Sequence, residues 1–150
     1  MNLAIWDIES SSASTDFGSI IEIGGVLVDE NFKEKDRFNL RCRLPEGEIF
    51  QAMALIVNKT SIKKLTQANL SHYQMLAEVE KIFKKWSPAI FLGWSNIGFD
   101  DEMIRKEFFK GIRYPYLTNA APNKRHDGIN IARAAYAVDP NILEVEFNEK

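Results

Sequence analysis

Apolar and polar positions along the chain fall into short blocks whose periods alternate between strand and helix. Leu3-Ala4-Ile5-Trp6 is an apolar run suited to a buried sheet strand, and it stops at Asp7-Ile8-Glu9 and a serine cluster, Ser10, Ser11, Ser12 and Ser14. Ile20 to Val28 is rich in β-branched residues and reads as a second, largely buried strand. The Gly24-Gly25 pair inside it predicts a bulge or another backbone passing close. From Phe32 to Leu44 apolar and charged residues alternate, as on an exposed edge strand, and Lys33, Lys35, Arg37, Arg41 and Arg43 suit a solvated edge that discourages pairing with other chains. The opening third is therefore expected to be a three-stranded antiparallel meander.

The helical period takes over afterwards. Phe50 to Leu65 is ambiguous, with a short helix expected from Thr60 or Ser61, where a hydroxyl caps free amides. Ser71 to Trp86 is clearer, because Tyr73, Leu76, Val79, Phe83 and Trp86 fall on one stripe. Ala89 to Trp94 is a continuous apolar run, read as a central strand; Ser95-Asn96-Ile97-Gly98 breaks it before a helix from Asp100 to Lys110. A strand reached through a crossover helix runs parallel to its partner. That places the loop from Asn96 to Asp100 beside the carboxyl end of the first strand, the edge where open α/β sheets put their sites. Gly111 to His126 reads as a long polar loop, and a further helix is expected from Ile129 to Val138, ending at Asp139-Pro140.

Composition narrows this picture. A chain of 150 residues with 45% hydrophobic content is the size of one domain and buries a core without staples. Its single cysteine, Cys42, leaves no internal disulfide, and no apolar run approaches the length of a membrane span, so a soluble, cytoplasmic protein is expected. The net charge of -2 argues against a uniformly basic nucleic-acid binder, although clustered Lys and Arg still suffice for phosphate contacts.

The candidate chemistry lies in the carboxylates. On a strand Asp7 and Glu9 share a face while Ile8 points back into the core. Two close acids repel unless a cation sits between them, and a hard divalent metal with oxygen ligands fits; the plain alternative is a strand entering a solvated turn. Asp100 opens a helix, where an aspartate also serves as a cap. With the parallel pairing, however, it projects toward Asp7 and Glu9, with Asn96 nearby. Convergence of three carboxylates favours Mg²⁺ or Mn²⁺, and two such ions about 3.5 to 4 Å apart suit in-line attack on a phosphodiester.

These residues carry a resemblance. Asp7-x-Glu9 at the end of a first strand, Ile20-Ile21-Glu22-Ile23-Gly24 in the second, and Asn96-x-x-Phe99-Asp100 resemble the first two motifs of the DEDD, or DnaQ-like, 3'-5' exonucleases, most closely the bacterial exodeoxyribonuclease I branch. Leu55-Ile56 with Thr60, the block from Gly93 to Glu102, Tyr114-Pro115-Tyr116, and Asp127 followed by Ala132 to Ala137 extend the likeness over nearly the whole chain. The resemblance implies an α/β, RNase H-like mixed sheet, with three antiparallel strands followed by parallel strands and crossover helices, truncated at its C-terminal side. It implies removal of nucleotides from the 3' end of single-stranded DNA, with Asp7, Glu9 and Asp100 as catalytic metal ligands for two Mg²⁺ or Mn²⁺ ions. Ser10 and Ser11 would lie where the backbone meets the terminal nucleotide, Leu55 and Ile56 against the terminal bases, with Asn96 near the substrate and Phe99 packing under the site.

Two departures qualify this. The family's Thr-Gly-Ile segment reads Val57-Asn58-Lys59 here, and the third motif, a histidine general base with a fourth aspartate, has no counterpart, since neither His72 nor His126 has an aspartate at the family's spacing. Loss of the base removes a contribution of roughly 10²- to 10⁴-fold. The expectation is the N-terminal portion of an exonuclease, weak or inactive by itself, with a missing C-terminal portion or a second chain supplying the third motif. The competing expectation is a non-catalytic module in which Lys33, Lys35, Arg37, Lys63, Lys64, Lys124 and Arg125 hold single strands. Asp127 reads as a helix cap. A small-ligand α/β domain is disfavoured because the opening meander lacks βαβ alternation.

Overall fold

β1 (Asn2–Ser10) lies at the centre of a five-stranded sheet, and every site residue is placed by what pairs with it or packs beneath it. The computed structural model describes residues 1–142. β2 (Ile20–Val28) and β3 (Glu34–Arg41) complete the expected antiparallel meander, with Asp7 opposite Gly24, Glu9 opposite Glu22, and Glu22 opposite Arg41. β4 (Ala89–Gly93) pairs parallel to β1, with Ile5 opposite Leu92, and β5 (Lys124–Asp127) pairs parallel to β4, giving the order β3-β2-β1-β4-β5.

β1 carries Asp7 and Glu9 near its end, as expected, and runs on to Ser10. Two features differ from the sequence reading. The apolar run of β1 is one-sided: Ala4, Trp6 and Ile8 are buried, whereas Ile5 is 42% exposed because no second layer covers that face among the described residues. The other difference is β5, which occupies the end of the segment expected to be loop. Lys124-Arg125-His126-Asp127 has no apolar period, and tertiary context makes it a strand. Just before it, the Asn123 side chain accepts a hydrogen bond from the Ala89 N–H at 3.0 Å and donates to the Leu117 carbonyl at 2.7 Å.

The core sits on one face of the sheet. α3 (His72–Trp86) contributes Met75, Leu76, Val79, Phe83 and Trp86, and α4 (Asp100–Lys110) contributes Met103, Ile104 and Phe108, all packed against Ala4, Trp6 and Ile8. α3 begins at a reciprocal capping box between Ser71 and Gln74. Tyr73, expected on the buried stripe, faces outward under the Arg113 guanidinium, 4.6 Å from its ring centre. α1 (Ala52–Val57) and α2 (Ile62–Thr66, capped by Ser61) form a separate wall at the carboxyl end of β1, packed through Ile21, Leu55 and Leu65. That wall is tied to β1 and the serine loop by the Gln51 N–H donating to the Ser11 carbonyl and the Asn58 side chain donating to the Ser10 carbonyl, both at 2.9 Å. α5 (Gly128–Val138) has no buried residue, and Trp94, Ile131 and Tyr136 stand exposed. Among the described residues no helix is long and apolar enough to cross a membrane.

Candidate functional site

Because Ile8 is buried in the core, Asp7 and Glu9 on either side of it project from the opposite face of β1. Parallel pairing brings the end of β4 and the loop after it to the same rim, and this loop delivers Asp100, the first residue of α4. Asp100 is buried, and burial pushes its carboxyl up to about 7, with Asp7 the largest neighbouring charge in the same direction and the Ile8 amide opposing. The same amide faces Asp7, whose carboxyl is raised chiefly by partial burial. Burial also raises Glu9, followed by repulsion from Asp7 and Glu22. Glu22 in turn is neutralised by Arg41, which donates to it through Nε at 2.9 Å and the terminal amine at 2.5 Å.

Asp7 is thus flanked by Glu9 along its strand and by Asp100 from α4. The sequence expectation of a ready three-carboxylate centre needs correction, since no three His, Cys, Asp or Glu side chains among the described residues converge closely enough to hold a metal ion. Two residues along a strand separate Asp7 from Glu9 by roughly 7 Å of backbone. The donor set nevertheless suits a hard cation: three carboxylates at one rim, all shifted upward chiefly by burial, with oxygen the only donor type.

The remaining predicted residues divide into two groups. Ser10 and Ser11 are buried and their hydroxyls are engaged, Ser10 donating to the Ser12 carbonyl at 2.7 Å and Ser11 to Glu48 at 2.5 Å. Leu55 is likewise buried in the small cluster behind the wall, and Phe99 is half-buried against the core. Ile56 is exposed. Asn96 is buried, and its side-chain amide donates to Asp101 at 3.0 Å, so it braces the loop. Gly93 makes room for it, because a Cβ there would lie 2.6 Å from the Asn96 side chain. Neither histidine reaches the rim: His72 meets Glu107 at 3.1 Å between α3 and α4. His126 stands in the row of Leu92 and Ile5, two strand spacings, about 10 Å, to the side of β1. Asp127 caps α5 through the Ile129 N–H at 3.0 Å, as expected, and also accepts the Ser95 N–H at 2.9 Å.

Beside the carboxylates a cleft of about 400 Å³ opens between the sheet and the α1–α2 wall, lined by Asp7, Glu9, Arg41, Asn58, Lys59 and Lys64 among others. Lys59 and Lys64 are exposed and form no ion pair among the described residues. Lys59 also holds a left-handed backbone with φ of 49°. Sequence reasoning noted Lys59 only as a departure from a motif, and placed Asp101 in the helix-opening block without giving it a role in the site. Asp101 is buried and its carboxyl is pushed up to about 6 by that burial, with Arg125 and Thr118 opposing. The one signal for Asp101 was its place beside Asp100; its partners Thr118 and Arg125 lie in the stretch read as loop.

Comparison with known proteins gives the fold a counterpart. No family model matches the chain. Exodeoxyribonuclease I of Buchnera aphidicola subsp. Schizaphis graminum is 22% identical over 151 residues, covering 99% of this chain and 31% of that protein. Exodeoxyribonuclease I of Haemophilus influenzae is 24% identical over 147 residues, covering 97% and 31%. A crystal structure of Escherichia coli exonuclease I in complex with a dA16 oligonucleotide superposes with a TM-score of 0.90 at 20% identity, covering 99% of this chain and 32% of that one. A zinc-bound form of the E. coli exonuclease I complex with single-stranded DNA gives 0.89 at 19% identity, covering 98% and 32%. The chain spans about a third of the length of the relatives it matches, and the match is to their N-terminal part. The fold is the RNase H-like, DnaQ-like fold of exonuclease I.

Proposed function

We propose, from this fold and the carboxylates at its rim, that the chain is the N-terminal portion of a 3'-5' exonuclease acting on single-stranded DNA. The observation that carries the reading is Asp100, remote in sequence, brought by the parallel pairing of β1 and β4 to the rim where it feels the charge of Asp7. Asp7, Glu9 and Asp100 would hold Mg²⁺ or Mn²⁺, two ions in a complete site. When bound, these ions supply an activated water and charge neutralisation at the leaving oxygen. The chain's own residues do the rest: Lys59 and Lys64 hold strand phosphates along the cleft, Ile56 offers an apolar surface to a base, and Phe99 packs beneath the rim. Ser10 and Ser11 fix the loop that borders the terminal nucleotide. No histidine of the described chain stands where a general base is needed, so hydrolysis by this portion is slow, and a further portion or a second chain carrying the family's third motif raises it.

Incubating the chain and its Asp7→Ala variant with a 5'-labelled oligo(dT) in Mg²⁺ or Mn²⁺ tests this. Slow shortening from the 3' end that disappears in the variant is the expected result. Undiminished trimming by Asp7→Ala, or shortening from the other end, rejects the assigned site. A second reading is favoured by the carboxylates not closing into a metal centre: a non-catalytic module that holds single strands electrostatically. It predicts metal-independent, salt-sensitive binding and no products.

A further inference from the structure

We propose that Asp101 is a positioning residue: braced by Asn96, Thr118 and Arg125, it fixes the first turn of α4 so that Asp100 faces Asp7. The inference rests on reading the rim as a cation site, and it assigns a task to a side chain that does not reach that rim. The Asp101 side chain is 1% exposed. One of its oxygens accepts from the Asn96 amide at 3.0 Å and lies 3.6 Å from Arg125 Nε of β5; the other accepts from the Thr118 hydroxyl at 3.4 Å. Asn96 grips the same turn by its backbone, its carbonyl accepting the Phe99 N–H at 3.2 Å and the Asp101 N–H at 3.0 Å. Three separate segments, the loop after β4, the loop before β5, and β5 itself, therefore meet on one carboxylate.

A buried carboxylate is a costly way to hold a helix in place. Taking it out of water costs several kcal/mol, and a single guanidinium 3.6 Å away with two neutral donors offsets that incompletely. The brace also leaves Asn96 Oδ1 buried without a partner among the described residues. An apolar side chain would pack as well, but it would not fix rotation about the helix axis. Two oxygens held by separate segments do. Successive helical residues are about 100° apart, so fixing the bearing of Asp101 fixes that of Asp100. A site of this kind tolerates only about 10–20° of error.

The test compares the wild-type chain with Asp101→Asn, Thr118→Val and Arg125→Gln, by Mn²⁺ titration, amide hydrogen exchange without metal, and melting temperature. Loss of a brace around a metal ligand lowers metal affinity by about 10- to 100-fold. The expected result is a Mn²⁺ affinity down by at least about tenfold, with faster exchange at the Phe99 and Asp101 amides that Asn96 holds but unchanged exchange in β1 and β2; the melting temperature falls as well, most for Arg125→Gln, which leaves the buried carboxylate without its cation. Lower melting temperatures with Mn²⁺ affinity and local exchange unchanged would make Asp101 a structural pillar only and overturn the inference. Failure of the wild type to bind Mn²⁺ refutes the cation reading instead, and exchange in the metal-free variants still decides whether Asp101 holds Asp100 in place. Thr118→Val and Arg125→Gln keep Asp101 itself, so the outcome stands even where Asp101→Asn folds poorly.

Discussion

Asp100 is a carboxylic acid where ionisation is unfavourable. With its carboxyl raised from 3.8 to about 7, the folded chain keeps a proton that the unfolded chain has already released between those values. The folded state thus binds more protons over that window, and stability falls as pH rises through it, the whole cost being present above about 7. Asp100→Asn removes the cost, so the variant should melt about 4–8 °C above wild type at pH 8, for roughly 2 kcal/mol, and close to wild type at pH 4. Thermal melts across this range in the absence of divalent ions measure the gap; a constant gap refutes the assignment. Gly93 is a steric counterpart. Gly93→Ala should cost about 1–3 kcal/mol in urea unfolding, because the new methyl meets the buried Asn96 side chain at 2.6 Å.

Elements differ in how far the sequence disclosed them, and the differences have physical causes. The meander, α3, β4 and α4 were legible because their apolar positions face a core and keep its period. Parallel pairing of β1 and β4 followed from the crossover, and with it the approach of Asp100 to Asp7. β5 was hidden because its four polar residues carry no apolar period and are held by pairing with β4, and with it went the brace on Asp101. α1 was hidden because six residues capped by no side-chain hydrogen bond give too short a pattern. α5 presents the reverse case: its sequence reads clearly as a helix, yet nothing described covers it. An 11-residue helix without a buried residue is marginal in water. Amides of Ile131 to Val138 should therefore exchange at least about a hundredfold faster than those of α3, as hydrogen exchange read residue by residue would show.

Across the whole molecule, the sheet carries its core on one side and its chemistry on the other. The open side bears acids at the rim, a recess of about 480 Å³ floored by Ile5, Gly24, Gly93 and Trp94, and lysines along the α1–α2 wall. Such an arrangement places the lysine charge on a different support from the carboxylates. Replacing Lys59 and Lys64 with Gln should weaken binding of oligo(dT) and reduce the slope of log affinity against log salt by about one to one and a half, while leaving Mn²⁺ affinity unaltered; fluorescence anisotropy at several salt concentrations reads both effects. An unchanged slope would move the nucleic-acid path away from the wall. That wall has its own anchorage, Ile21, Leu55 and Leu65, separate from the main core. Its ties to the sheet are those side chains and the bonds of Gln51 and Asn58 to the serine loop, so of the two sides of the cleft it has the slighter support, while Asp7 and Glu9 stand on the central strand.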